Sequence, residues 1–263
     1  MHYTMIGMKN KVTLLVHRHR WDVRPQRARE IQEALRHHWE GEDRLPEIRT
    51  VAGLDAAFVL TESQRFRKRS RWNVLRDANR AIGCVVTYRF PEMQEIERAY
   101  AIVPLKFPYV PGFLSFREIP VLLAALCKLK QMPDLLFCDG QGIAHPRRLG
   151  LAAHLGVVLG RASIGCAKSL LIGRHGAVAS AAGSWTPLTD EDWNGECIGA
   201  ALRTRTSVKP IFVSPGNRVS LETSIRLTLA VSDGFRIPRP TRDADRFASE
   251  IKRKLLAGAA CEK

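Results

Sequence analysis

"DLLFCDGQGIAHPRRLGLAAHLGVVLGRASIGCAKS", Asp134–Ser169, decides how this chain folds. It opens on a short apolar run that closes at Asp139-Gly140 and so reads as a buried strand. "PRRLGLAAHLGVVLG" (146–160) then reads as a helix whose Gly150 and Gly156 allow close packing on a sheet. "RASIGCAKS" (161–169) is a second buried strand. Two apolar strands joined by a helix pair in parallel, with both faces of the sheet covered.

On the N-terminal side, "WDVRPQRAREIQEALRHHWE" (21–40) predicts a helix with Ala28, Ile31, Leu35 and Trp39 on one face and Pro25 near its start. Residues 48–60, 81–90 and 98–107 read as three strands in an antiparallel meander. Between the first two lies "TESQRFRKRSRWNVLRDANR" (61–80), where five of the seven residues from Arg65 to Arg71 are basic. Such a run is either a solvated hairpin extension or a phosphate-contacting loop. On the C-terminal side, residues 121–130 carry a helical stripe of Leu122, Ala125, Leu126 and Leu129. Residues 197–205 and 209–216 read as a later strand pair, and 220–231 and 241–257 as the last two helices. The expected architecture is α/β: a mixed central sheet, an antiparallel meander followed by parallel strands, flanked by helices. A basic extension (1–20), a single domain (21–258) and a short tail (259–263) complete the division.

The 263 residues include 41 Lys+Arg against 26 Asp+Glu, a formal charge of +15. That balance favours a polyanionic partner, nucleic acid before a membrane surface. The six cysteines form no C-x-x-C pair, which speaks against zinc and against a disulfide framework, and for reduced thiols. No stretch has the length of a membrane span, and "VTLLV" (12–16) is too short for a signal-peptide core. The expectation is a cytoplasmic protein with no membrane partner.

Asp55, inside the apolar "VAGLDAAFVL", and Asp139 each interrupt or close a buried strand. An ionised carboxylate there costs several kcal/mol, roughly, unless it is compensated. A divalent cation compensates well, because Mg²⁺ takes carboxylate oxygens together with phosphate. An Asp before Gly140 is also a common turn residue; on neighbouring strands the two acids together favour a metal site. Ser115-Phe116-Arg117-Glu118 matches a capping box, but Pro120 stands where that helix needs an N–H. A helix beginning nearer Pro120 leaves Glu118 at its entrance, pointing at a metal. In the last helix Thr241 suits an N-cap and Asp243 its positive end. Asp245, one position past the apolar face, reads as a surface residue. "PYVPGFLSFREIP" (108–120) is unusual: two prolines stiffen a tyrosine, and a glycine-led apolar turn follows.

"VAGLDAAF", "FPYVPGFLSFREIP", "DLLFCDGQGIAHPRRLGLAAHLG", "IGCAKS", "GSWTPL", "VSPGNRVSLET" and "RIPRPTRDADR" stand in the order and spacing of the endonuclease V family, which this chain resembles from about Trp21 to Arg246. The resemblance implies a ribonuclease H-like fold and a Mg²⁺-dependent endonuclease, with Mn²⁺ able to substitute. It implies recognition of deoxyinosine, deaminated adenine, in DNA. It further implies hydrolysis of the second phosphodiester bond 3′ to the lesion, leaving 3′-hydroxyl and 5′-phosphate ends. The family's metal-binding carboxylates map onto Asp55, Glu118 and Asp139, its C-terminal acidic position onto Asp245, and its active-site lysine onto Lys168. His145 and Arg147 match a segment lining the site close to DNA.

The resemblance also gives the proline-flanked turn at 108–112 a task. Pro108, Tyr109, Val110 and Pro111 form a wedge at the damaged base, fixed by the prolines so that little entropy is lost when Tyr109 stacks. Gly112 and Leu114 bring backbone close to the extruded base, whose missing exocyclic amine distinguishes it from guanine. Two departures stand out: the basic 61–80 region exceeds the family's usual short turn, and Asn217 replaces a common His, which removes an acid–base group there. The same enzyme acting on inosine in RNA, or a non-catalytic inosine-binding repair protein, are the competing readings. A monomer is expected.

Overall fold

The computed structural model describes residues 15–60 and 78–261. A nine-stranded sheet runs in the order β3-β2-β1-β4-β5-β9-β8-β7-β6. The strands are β1 (Thr50–Val59), β2 (Arg80–Arg89), β3 (Gln94–Pro104), β4 (Leu135–Cys138), β5 (Ala162–Ala167), β6 (Arg174–His175), β7 (Trp185–Asp190), β8 (Glu196–Leu202) and β9 (Ile211–Asn217). Among the described residues the α-helices are α1 (Pro25–Arg36), α2 (Leu114–Leu126), α3 (Leu151–Leu159), α4 (Leu221–Ala230) and α5 (Arg239–Cys261). Strands β1, β4 and β5 pair in parallel, and all other pairings are antiparallel. The order β3-β2-β1-β4-β5 is the ribonuclease H-like arrangement, with the expected meander and the expected β4-α3-β5 crossover.

Each face of the sheet buries its own apolar layer. Val51, Cys84, Phe137, Ile164 and Val213 face α4 and α5, which supply Leu227, Ala244, Phe247 and Ile251. Leu54, Val85 and Leu136 face α2 and α3, which supply Ile119, Leu122, Leu126 and Leu155. Gly156 allows the close approach foreseen for it: a Cβ there would meet Asn217 Cβ at 2.6 Å. α1 packs on the outer side of α3, with Ala28, Ile31 and Leu35 against Ala153, Val157 and Val158.

Several boundaries differ from those read in the sequence. α1 stops at Arg36, and Trp39 packs from the following turns. α2 begins at Leu114 with Phe113 at its N-cap, so Pro120 lies inside it and Glu118 one turn in. The proline removes one bond, to the Phe116 carbonyl, but burial of Ile119, Val121, Leu122, Ala125 and Leu126 outweighs that loss. Ser115 caps nothing; its hydroxyl lies 2.9 Å from His154 Nδ1. α5 begins two residues before Thr241, whose hydroxyl donates to the Pro238 carbonyl. It continues to Cys261, into the stretch read as a tail, as its run of Leu and Ala favours. Within residues 15–20, Val16 N–H bonds to the Val158 carbonyl of α3 at 2.9 Å, and His19 Nε2 lies 2.9 Å from His154 Nε2. The basic run of 61–77 and residues 1–14 lie outside the described residues.

Strands β6 and β7 were not foreseen. Pro187 hid β7, since proline cannot donate to a ladder. The structure accommodates it because β6 pairs only with Leu188 and Thr189, leaving β7 unpaired on that side at Pro187.

Candidate active site

Asp55 lies in β1 where β4 ends. Leu54 pairs with Cys138, the last residue of β4, and the Asp139 N–H bonds to the Leu54 carbonyl at 3.2 Å. The two acids therefore leave adjacent parallel strands at the same level, at the C-terminal end of β4, where α/β folds gather ligands. Asp245 arrives from α5. That helix lies against β1 because Gly53, two residues from Asp55 and on the same face, carries no side chain; a methyl group there would collide with the Pro240 carbonyl. One oxygen from each of Asp55, Asp139 and Asp245 lies within 4.8 Å of the others. Lys168, one residue past β5, places Nζ 2.6 Å from Asp139 Oδ2 and 2.8 Å from Asp245 Oδ2.

Glu118 enters from α2, on the other face. It is buried and feels the charges of Asp55 and Asp139. It is not in the close group of three, whose third member is Asp245, the acid that the resemblance maps onto the family's C-terminal acidic position. Burial, then Asp139 and Asp245, push the Asp55 carboxyl up to about 7, against the pull of Lys168 and the Ala56 N–H. Burial, then Asp55 and Asp139, hold Glu118 well above the usual carboxylate range, with Arg117 opposing. Burial works against the Lys168 ammonium, but its pairs with Asp139 and Asp245 prevail and raise its pKa. Among the described residues the four carboxyl groups are met by the Lys168 ammonium, which contacts Asp139 and Asp245. The cluster is short of positive charge, and its all-oxygen donor set suits a hard divalent cation.

The tyrosine-bearing segment meets this cluster through α2. Val110 to Phe113 form a turn closed by the Phe113 N–H on the Val110 carbonyl at 3.1 Å. Pro111 occupies its second position and Gly112, with φ 79°, its third, a type II arrangement that selects glycine. Pro108 and Pro111 are exposed, Tyr109 and Val110 half-buried, and Leu114, 38% exposed, starts α2. Arg117, adjacent to Glu118, is buried, donates to the Phe107 carbonyl at 2.9 Å and lies 5.9 Å from the Tyr109 ring.

His145 and Arg147 turn polar atoms onto this turn. His145 Nε2 lies 3.0 Å from the Gly112 carbonyl, and its Nδ1 accepts the Arg147 N–H at 3.2 Å. Burial, then Arg147, push His145 down to about 4, so the ring is neutral and donates from Nε2. Arg147 Nη2 donates to the same carbonyl. Asn217 stands at the opposite end of the sheet, paired with Ser163 at the start of β5 while Lys168 follows its end. Its amide accepts the Glu40 N–H at 3.0 Å, a structural task that needs no titrating group.

Sequence reasoning missed Gly53, Arg117 and Gln32. The signal for Gln32 was a polar residue beside the apolar stripe of α1; Gly53 offered none beyond its place in a strand.

The family model for endonuclease V matches residues 33–246. The chain belongs to the endonuclease V family. The endonuclease V of Nostoc sp. is 46% identical over 232 residues, 88% of this chain and 96% of the relative. The solved endonuclease V of Streptomyces avermitilis superposes with a TM-score of 0.77 at 36% identity, covering 91% of this chain and 96% of that one. Ciona intestinalis endonuclease V, solved with a 24mer DNA containing an inosine followed by a ribo-adenosine, superposes with a TM-score of 0.71 at 26% identity, covering 88% and 98%. As an endonuclease V, the chain is a DNA-cleaving hydrolase, and its acidic cluster is suited to a metal ion. Among the described residues no helix is long and apolar enough to cross a membrane.

Proposed function

We propose that this endonuclease V recognises deoxyinosine in DNA and, with Mg²⁺, hydrolyses the second phosphodiester bond 3′ to it, leaving 3′-hydroxyl and 5′-phosphate ends. The observation that carries this reading is the convergence of Asp55, Asp139, Asp245 and Lys168 at one end of the sheet, joined through Arg117-Glu118 to a rigid tyrosine-bearing turn. The inosine-containing DNA of the Ciona intestinalis structure supports the substrate. Asp55 and Asp139 hold the cation, with Asp245 and Glu118 completing the negative cage. The cation, when bound, acts as a Lewis acid toward the phosphate oxygens. Lys168 remains protonated between Asp139 and Asp245 and offers charge to the phosphate. Tyr109 stacks on the base left exposed when the lesion turns out, with Pro108 and Pro111 holding it in place.

Matched duplexes carrying deoxyinosine or adenine, incubated with Mg²⁺ and mapped for product ends, test the reading. Cutting one nucleotide beyond the lesion's own 3′ phosphate is expected. Equal cutting of the adenine duplex, or ends elsewhere, would overturn it. An inosine RNA of the same sequence reads the sugar preference.

Tyr109→Ala should weaken lesion discrimination by about 1–3 kcal/mol, the value of a base stacked on an aromatic, and leave affinity for undamaged DNA nearly unchanged. Competition binding with both duplexes measures this; equal losses on both would argue against the wedge.

The raised pKa of Asp55 predicts a coupling between pH and metal. The folded protein holds this proton up to about pH 7, whereas the unfolded chain loses it in the ordinary carboxylate range. The contribution to metal-free stability is therefore complete at low pH and is lost as pH rises through about 7. Thermal melts at pH 5.5 and 8 should show a larger Mg²⁺-induced rise in Tm at the higher pH. An equal rise at both would contradict a cation at Asp55.

A further inference from the structure

We infer that Gln32 is a positioning residue for lesion recognition, an inference that rests on the inosine reading above. Gln32 is fully buried on α1, far in sequence from every motif of the site. Its Nε2 donates to the Gly112 and Leu149 carbonyls, each at 3.3 Å. Its Oε1 accepts from Arg147 Nε at 2.6 Å. Both ends of a buried amide are thus engaged by one loop and one turn that lie over a hundred and about eighty positions away along the chain. A leucine would suit the apolar neighbourhood of Ala28, Ile31 and Leu35. The amide is justified only by what it holds, since a buried polar group without partners is costly.

What it holds is the turn. The Gly112 carbonyl receives Gln32, His145 and Arg147 together. The Arg147 guanidinium, set by Gln32, lies 4.2 Å from the centre of the Phe113 ring. Phe113 is the N-cap of α2, the helix that carries Glu118. Gln32 therefore locks the exit of the type II turn, and with it the orientation of Tyr109, relative to the carboxylate cluster. It is fully buried, and its side-chain hydrogen bonds go to the turn and to the 147–149 loop, so it acts through these two segments.

The test compares wild type, Gln32→Leu and Gln32→Glu by kcat and KM on the deoxyinosine duplex and its adenine counterpart, with thermal melts alongside. Glutamate keeps the size and the Arg147 partner but cannot donate to Gly112 or Leu149. Both variants should lose at least about tenfold in the inosine-to-adenine ratio of kcat/KM, because small displacements of a substrate-positioning group are costly. Combining Gln32→Leu with Arg147→Leu should lower the ratio no further than the worse single change, since both act on one carbonyl. A folded variant with the wild-type ratio overturns the inference, as does loss of the fold in both variants, which would make Gln32 purely structural. If wild type itself shows no preference for inosine, the functional reading fails; if wild type prefers inosine and the variants prefer it equally, only the role of Gln32 fails.

Discussion

Asp139→Asn should leave a folded protein that still binds a deoxyinosine duplex yet cuts it at least about a thousandfold more slowly, the scale of a lost electrostatic centre in the transition state. Asparagine matches aspartate in volume, and the Asp139 backbone N–H that bonds to Leu54 is untouched, so the end of β4 stays in place. What disappears is a charge that contacts Lys168 at 2.6 Å and is the strongest like-charge neighbour of Asp55. Two consequences follow. The cation loses a ligand, which lowers cleavage. Asp55 loses its main repulsion, so its carboxyl titrates lower, while Lys168 loses its ion pair with Asp139, so the two effects on the stability of the metal-free protein oppose each other. A folded variant that is catalytically dead, with a smaller Mg²⁺-induced rise in Tm than wild type, is the expected signature. Binding is preserved because the Tyr109 turn is held from α1 and the 145–149 loop, not by Asp139. Single-turnover cleavage, duplex binding and melts with and without Mg²⁺ check the three parts.

Gly53→Ala should destabilise the protein by about 1–3 kcal/mol, the usual cost of overpacking a core, and should cut activity beyond what the stability loss accounts for. The added methyl points at the backbone of Pro240, which has no flexible end to give way. The first turn of α5 must lift off β1. Asp245 sits one turn further along the same helix, so it moves away from Asp55 and Asp139, and Lys168 loses one of its two partners. Gly176→Ala is the control, because a Cβ there meets nothing within 4 Å. Denaturant unfolding, and cleavage assayed well below both melting transitions, separate the two effects.

The parts of this molecule legible in its sequence are those governed by short-range pattern. The alternation and length of the apolar runs gave β1, β2, β3, β4 and β5, and two acids closing neighbouring strands had to meet, as Asp55 and Asp139 do. Asp245 was not legible from periodicity. It lies beside the buried face of an amphipathic helix, and only the docking of that helix at Gly53 turns it toward the cluster. The resemblance pointed to it where the pattern did not. The start of α2 was hidden by Pro120, because the proline penalty is local and the burial that offsets it is tertiary. The hydrogen bonds of His145 and Arg147 to Gly112 were not legible, because that partner lies more than thirty positions earlier and no local rule selects it. Gln32 escaped for the same reason.

The proposed cleavage chemistry requires a cation held between Asp55, Asp139 and Asp245. Crystals of the protein grown with Mn²⁺, at a concentration that supports cleavage, test this by anomalous scattering. The predicted result is a peak bounded by Asp55 and Asp139 oxygens, with Asp245 and Glu118 closing around it and Lys168 displaced from at least one of its partners. A Mn²⁺-dependent active enzyme whose crystals hold the ion elsewhere, with Lys168 still seated between Asp139 and Asp245, would contradict it.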